Sequence, residues 1–167
     1  NWQGVNYIEN NGVLFITSEN VGTYNLLLNK KKYLEWKFNE IQPRSILEKG
    51  DLLMNIVGGS IGRTAVFNLD EISNINQAVC LIRMIKKVDL SYMLLFFNSK
   101  ICITYMFDKQ VDNARANLSM GNISKFLIPL PTKKKKKRIV LQVEKLMKVC
   151  DELEKLVEKS QKEESLL

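Results

Sequence analysis

The chain has 167 residues, 46% of them apolar and 26% charged, a globular composition with room for one ordinary domain and an appendage. Its longest apolar stretches, Tyr92–Phe97 and Ile139–Leu141, fall far short of the ~20 residues a membrane-spanning helix needs, so no membrane partner is expected. No basic-then-apolar leader opens the sequence, which makes the cytoplasm the expected location. The formal net charge is +7, and the unbroken run Lys133 to Arg138 carries six of those charges. A stripe of that kind attracts phosphates, but the rest of the chain is close to neutral and is no polycation.

In chain order, Val13–Thr17 follows Asn11-Gly12 and reads as a strand. Asp51–Val57 begins after Gly50, ends at Gly58-Gly59, and pairs with Gly62–Phe67 as a hairpin. Gln77–Met84 is almost continuously apolar, the pattern of a central strand buried on both faces. Leu90–Gln110 has helical spacing, with Tyr92, Leu95, Phe96, Ser99, Ile103, Met106 and Phe107 on its core face and Asp89 or Ser91 available as the cap. Lys125–Leu130 is expected as a last short strand, with Pro129 marking an edge or an end. Strands interleaved with a helix give an α/β or α+β domain.

The period changes beyond Pro131. Ile139, Val143, Leu146, Cys150, Leu153, Val157 and Ser160 recur at alternating steps of four and three, the seam of a coiled coil. Val140, Met147, Val149 and Leu156 widen that stripe. A helix of ~28 residues, ~42 Å long, cannot bury it alone and calls for another helix.

The residue inventory removes several chemistries. Histidine is absent, which excludes His-based triads, HExxH zinc sites and histidine general bases. Cys80, Cys102 and Cys150 are widely spaced and odd in number, so they read as small core residues and neither a disulfide framework nor a metal site is indicated. Glu35-Trp36-Lys37 matches the E-x-K portion of a metal-dependent nuclease. Residues 1–34 lack the acidic partner such a site needs, offering only Glu9 and Glu19 and no aspartate. The D/N-P-P-Y/F motif of amino-methyltransferases is absent. No catalytic constellation is present, and no cofactor is implied for this chain.

Residues suited to nucleic acid lie in the connections. Gly58-Gly59-Ser60-Ile61-Gly62-Arg63 is followed by a strand rather than a helix, so it reads as a turn needing positive φ and not as a P-loop. Gly59 and Arg63 in such a turn can approach DNA closely. Lys30, Lys31, Lys32 and Tyr33 combine phosphate-seeking charge with an aromatic ring. Asn113, Arg115 and Asn117 offer side chains that pair with adenine and guanine edges. Lys133, Lys134, Lys135, Lys136 and Lys137 are candidates for phosphate contacts.

Three stretches taken in order resemble one family. They are Gly50-Asp51-Leu52-Leu53 with Gly58-Gly59-Ser60-Ile61-Gly62-Arg63; Asn76-Gln77-Ala78-Val79 with Ile82-Arg83; and Asn117-Leu118-Ser119, Ile128-Pro129-Leu130-Pro131, Arg138-Ile139-Val140 and Cys150-Asp151-Glu152-Leu153-Glu154. Over roughly residues 11–160 the chain resembles the specificity (S) subunit of type I restriction–modification systems. Where the family usually has a second proline and a Glu-Gln pair, this chain has Thr132 and Lys133–Lys137.

The resemblance implies an α/β (α+β) target recognition domain with a mixed twisted sheet over residues 1–131, its amino-terminal part missing. A conserved spacer helix over 132–167, built for coiled-coil pairing, would follow. It implies a non-catalytic reader of double-stranded DNA that holds one half-site. Methyltransferase subunits would bring S-adenosylmethionine, and a restriction subunit would bring ATP-driven cleavage. Because the family's full subunit has two readers and two spacers, this chain looks like a half subunit. Two copies are then expected to pair antiparallel through Ile139, Val143, Leu146, Cys150, Leu153 and Val157, favouring an inverted repeat. Three other readings compete: an interaction protein assembled by its coiled coil, a stand-alone enzyme disfavoured by the missing motifs, and a silent gene fragment.

Overall fold

A computed structural model describes residues 2–85, 88–108 and 118–164, and the chain divides into two units, residues 1–128 and 129–167. The strands of the first unit are β1 (Tyr7–Ile8), β2 (Val13–Ile16), β3 (Tyr33–Leu34), β4 (Leu52–Asn55), β5 (Thr64–Val66), β6 (Ser73–Ile75) and β7 (Val79–Ile82). They form two sheets. One is mixed, in the order β1-β3-β2-β6, with β2 and β6 parallel; the other is antiparallel, in the order β5-β4-β7.

Every residue of β2 is buried, and its alternation feeds two cores. Leu14 and Ile16 join Leu53, Ala65, Phe67, Ile75 and Val79. Val13 and Phe15 face the other way and join Val5, Leu34 and Phe38, where the Phe15 ring meets Phe38 edge-on at 5.3 Å. The expected hairpin forms, with Leu52 opposite Val66 and Met54 opposite Thr64. The central strand is β4, however, not the Gln77–Met84 run. β7 pairs only with β4 and leaves Leu81 and Ile82 half-buried. An apolar run reports burial, and burial by packing looks the same in sequence as burial between two ladders.

The start of β4 is tied to the end of β7 by a bidentate pair. Arg83 donates from Nε and Nη2 to the two carboxylate oxygens of Asp51 (2.8 and 2.7 Å) and from Nη1 to Glu48 (2.8 Å). Asp51 is buried, and its hydrogen bonds hold the Arg83 guanidinium above its usual range.

The expected single helix Leu90–Gln110 is two helices among the described residues, α2 (Leu90–Phe97) and α3 (Lys100–Asp108), bent by 51°; α1 is the short Lys37–Ile41. Asp89 caps α2 through the Tyr92 N–H at 3.1 Å. The bend has a definite cause at Asn98. Its amide accepts from the Thr64 N–H (3.1 Å) and donates to the Thr64 carbonyl (2.9 Å), replacing a strand neighbour for β5, while Ser99 Oγ accepts the Cys102 N–H at 3.3 Å. The break resets the helical phase. Met93, Phe97 and Cys102 are buried where Leu95 and Phe96 were expected, and Phe107 is exposed.

Lys125–Leu130 is not a strand. Pro129 lacks a ladder donor, the Phe126 N–H closes the turn of α4 (Met120–Ile123) on the Ile123 carbonyl, and Leu127 is 91% exposed.

The second unit is α5, Lys133–Glu164, a 32-residue helix about 48 Å long. Thr132 starts it, accepting the Lys135 N–H at Oγ1 (3.4 Å) and the Lys136 N–H at its carbonyl (2.9 Å). The helix therefore takes in the whole lysine run, in spite of the dipole.

Replacing Asn98 by alanine leaves the buried Thr64 N–H without a partner, while the Thr64 carbonyl keeps the Tyr24 N–H (2.9 Å). The expected loss is about 1–3 kcal/mol, read as a lower urea midpoint at unchanged slope.

Candidate nucleic-acid interface

Several strand ends meet at one edge of the first unit. The Asn76 N–H donates to the Ile16 carbonyl (3.1 Å) and the Ile56 N–H to the Ala78 carbonyl (3.0 Å). The Leu118 N–H donates to the Ile56 carbonyl (2.9 Å). The ends of β2, β4 and β6 and the start of β7 thus lie side by side. Their connections form a rim: the segment from Ser18 to Tyr33, the Gly58–Arg63 turn, the Asn76–Ala78 turn, and Leu118–Ser119.

Two buried asparagines hold the rim. Asn55 Nδ2 donates to the Ser18 and Val21 carbonyls (3.0 and 3.1 Å) and lies 3.1 Å from Ser60 Oγ, tying the first connection to the glycine turn. Asn20 Nδ2 donates to the Leu27 and Lys30 carbonyls (both 3.1 Å), so the backbone at Lys30 is anchored although its side chain is exposed. Neither asparagine belongs to a motif singled out in the sequence. The available signal was a polar residue inside the apolar Leu52–Val57 run.

The glycine turn has the expected backbone, with Gly58 at φ 72° and Gly62 at φ 88°. Gly58 and Gly59 are exposed, and a Cβ at either would meet nothing within 4 Å. Gly62 is different: a Cβ there would sit 3.2 Å from both Ile103 Cγ1 and Met106 Sδ on α3. Arg63 projects from the end of the turn, exposed and without an ion-pair partner among the described residues. Lys30 has none either.

The rest of the basic cluster is internally engaged. Lys31 pairs with Glu71 (2.6 Å), the Tyr33 hydroxyl donates to the same carboxylate (2.6 Å), and Lys32 pairs with Glu19 (3.2 Å). The hydrogen bonds from Lys31 and Tyr33 hold Glu71 below the usual carboxylate range and raise the pKa of both donors. Asn113, Arg115 and Asn117 lie outside the described residues. Lys133–Lys137 fill the first turns of α5, all exposed except the half-buried Lys136.

Along α5, Ile139 and Val143 are half-buried, whereas Leu146, Cys150, Leu153 and Val157 are exposed. Cys80 and Cys102 are buried thiols pushed up to about 11 by desolvation. The Glu35 carboxylate accepts the backbone and side-chain N–H groups of Asn6 (both 3.2 Å), and no group of three or more metal-ligating side chains occurs among the described residues.

Beside the rim is a cleft of about 210 Å³. Phe38, Ile75 and Val79 line its floor, and Gln3, Gln42, Ser45, Asn76 and Gln77 its polar wall. Of these, only Asn76, Gln77 and Val79 fall within a motif noted in the sequence.

The chain belongs to the family of type I restriction modification DNA specificity domains, whose model matches residues 4–163. Its fold is similar to two solved structures at 18% identity each. One is the HsdS subunit from Thermoanaerobacter tengcongensis, with a TM-score of 0.68 over 97% of this chain and 41% of that one. The other comes from work on complex assembly and conformational transition of the type I R-M system, with a TM-score of 0.66 over 88% of this chain and 34% of that one. The chain thus spans less than half the length of either. No curated protein matches it.

The glycine turn separates into a structural and an accessible position. Gly62→Ala forces a side chain into positive φ against α3 and should cost about 1–2 kcal/mol. Gly59→Ala should stay within about 0.5 kcal/mol of the parent in the same thermal melt.

Proposed function

We propose that this chain is a sequence-specific, non-catalytic DNA-recognition subunit of a type I restriction–modification complex, active in the cytoplasm. The first unit, taken as a recognition domain through Pro131, reads one half-site. The helix from Thr132 pairs with a second helix. Methyltransferase and restriction subunits supply the chemistry. The observation that carries this reading is the family match, which covers residues 4–163 and so takes in both the strand-end rim and the exposed edge of α5.

In the proposed interface, Arg63 and Lys30 meet phosphates beside the exposed Gly59, where no side chain blocks close approach. Lys31, Lys32 and Tyr33 contribute less than their sequence suggests, because Glu71 and Glu19 already answer their charge and hydroxyl. Asn113, Arg115 and Asn117 enter as base readers on their side-chain chemistry alone. Lys133–Lys137 hold phosphates without regard to sequence.

The helical partner is a second copy of α5, running antiparallel. A pairing centred near residue 148 sets Leu146 against Cys150, Val143 against Leu153, and Ile139 against Val157. Each layer then opposes one a and one d position. The charges favour the same direction. A parallel pair would bring two runs of six cations together, whereas the antiparallel pair sets each run opposite residues 158–163 of its partner, where Glu158 and Glu163 balance Lys159 and Lys162.

Two measurements test this. Sedimentation at micromolar concentration should give a dimer that Leu153→Glu converts to a monomer; a monomeric parent chain would refute the pairing. Neutralising Lys133–Lys137 to glutamine should weaken binding to every duplex and flatten log K against log salt by about 0.9 per lost phosphate contact. If the chain shows no salt-sensitive retention of duplex DNA while still dimerising, the reading as an interaction protein takes its place.

A further inference from the structure

The cleft beside the rim has a composition that the proposed phosphate contacts do not use. Its lining contains no charged side chain. A phosphate, carboxylate or ammonium ligand would find no countercharge there. At about 210 Å³ it is smaller than the roughly 300–1,000 Å³ of sites that enclose a whole small molecule, and it is open to solvent. It suits the edge of a planar group whose remainder stays outside.

The wall offers that edge unused hydrogen-bonding groups. Gln77 is exposed on its tight turn, and its side chain has no partner among the described residues. Asn76 uses Oδ1 to accept the Ala78 N–H (3.1 Å), which leaves Nδ2. Gln42 donates from Nε2 to Gln3 Oε1 (3.2 Å), which leaves the acceptor of one amide and the donor of the other. Side-chain amides present a donor and an acceptor in one plane, the arrangement that matches the N6/N7 edge of adenine. The apolar floor suits the methyl group of its thymine partner.

The flanks are basic. Arg44 stands between Gln42 and Ser45 in the chain, exposed and without an ion pair among the described residues. On the other side, the Asn76–Ala78 turn is bonded to Ile56, directly before the glycine turn that carries Arg63. A neutral cleft between unanswered cations separates reading of bases from holding of backbone.

We propose that Gln77 and Gln42, supported by Gln3 and Asn76, read a base edge in this cleft, and that Arg44 holds the adjacent phosphate. This rests on the DNA-recognition reading and assigns specificity-determining residues within it.

The test is selection of duplexes from a randomised pool by the full-length chain and its variants, each checked by thermal melting. Gln77→Ala, at an exposed residue without side-chain bonds, should melt like the parent. It should lose about 5- to 100-fold of discrimination at one base position while the salt slope stays the same. Gln77→Glu should move the preference at that position toward cytosine, whose N4 amine it can accept. Arg44→Ala should weaken all duplexes alike and reduce the slope by about 0.9. If Gln77→Ala and Gln42→Ala both keep the parental preference at every position, or weaken all sequences equally, the assignment is wrong and DNA recognition by the rim survives. If the parent chain itself enriches no sequence, the underlying reading fails with it.

Discussion

Asn55 is the interior fastening on which the strand-end rim depends. It is fully buried at the end of the only strand with two ladder neighbours in its sheet, and its amide nitrogen donates to two carbonyls of a different connection. Neither carbonyl has a ladder partner to replace it, so the Ser18–Val21 segment cannot move away without orphaning buried acceptors, at about 1–3 kcal/mol each. Asn20 repeats the device one layer further out, holding the Leu27 and Lys30 carbonyls. The exposed side chains of the rim are thus carried on backbone that is fixed by directional bonds rather than by apolar contact alone. On the proposed function, a surface that reads hydrogen-bond geometry gains from that kind of support.

Charge is distributed in the same spirit. Glu71 and Glu19 satisfy Lys31 and Lys32, Asp70 pairs with Lys49, and Asp51 and Glu48 hold Arg83. These pairs stabilise their neighbourhoods modestly at exposed positions. What matters more is which cations they leave over. Lys30, Arg44 and Arg63 stand around the rim and its cleft without an ion-pair partner among the described residues, so the nearly neutral first unit still presents a local positive face.

Sequence patterning made the β4–β5 hairpin, the glycine turn and the long terminal helix legible, because each depends on local chemistry: alternation, positive φ, and a four–three seam. It failed where a distant partner decides. The run from Leu90 carries no glycine or proline, and only the two-way bond between Asn98 and Thr64 explains why it breaks. Lys125–Leu130 has strand-like residues but no edge to join. The lysines at 31 and 32 look like a phosphate site until Glu71 and Glu19, remote in sequence, come to meet them. The amide cleft was hidden for the same reason. Gln3, Gln42 and Gln77 are unremarkable polar residues until the fold gathers them.

The helix α5 poses a different energetic problem. From Leu146 to Val157 its apolar edge faces solvent, with Leu146, Leu153 and Val157 each 55% exposed. An isolated helix in water draws little net stability from propensity alone, so such an edge gains most by pairing. On the proposed pairing, the register of the two helices sets the distance between readers. A slip of one heptad moves one helix along the other by about 10 Å, which is about three base pairs at 3.4 Å per step. Aliphatic layers alone discriminate poorly between such registers. Charge does not fix the register either: centred near residue 148, the six cations lie opposite a neutral stretch, 158–163, whereas a one-heptad slip would set them opposite residues 151–156 with Asp151, Glu152 and Glu154. What the lysine run fixes is direction, because only the antiparallel pair keeps far apart two runs whose charges each already cost up to ~1 kcal/mol against their own helix dipole.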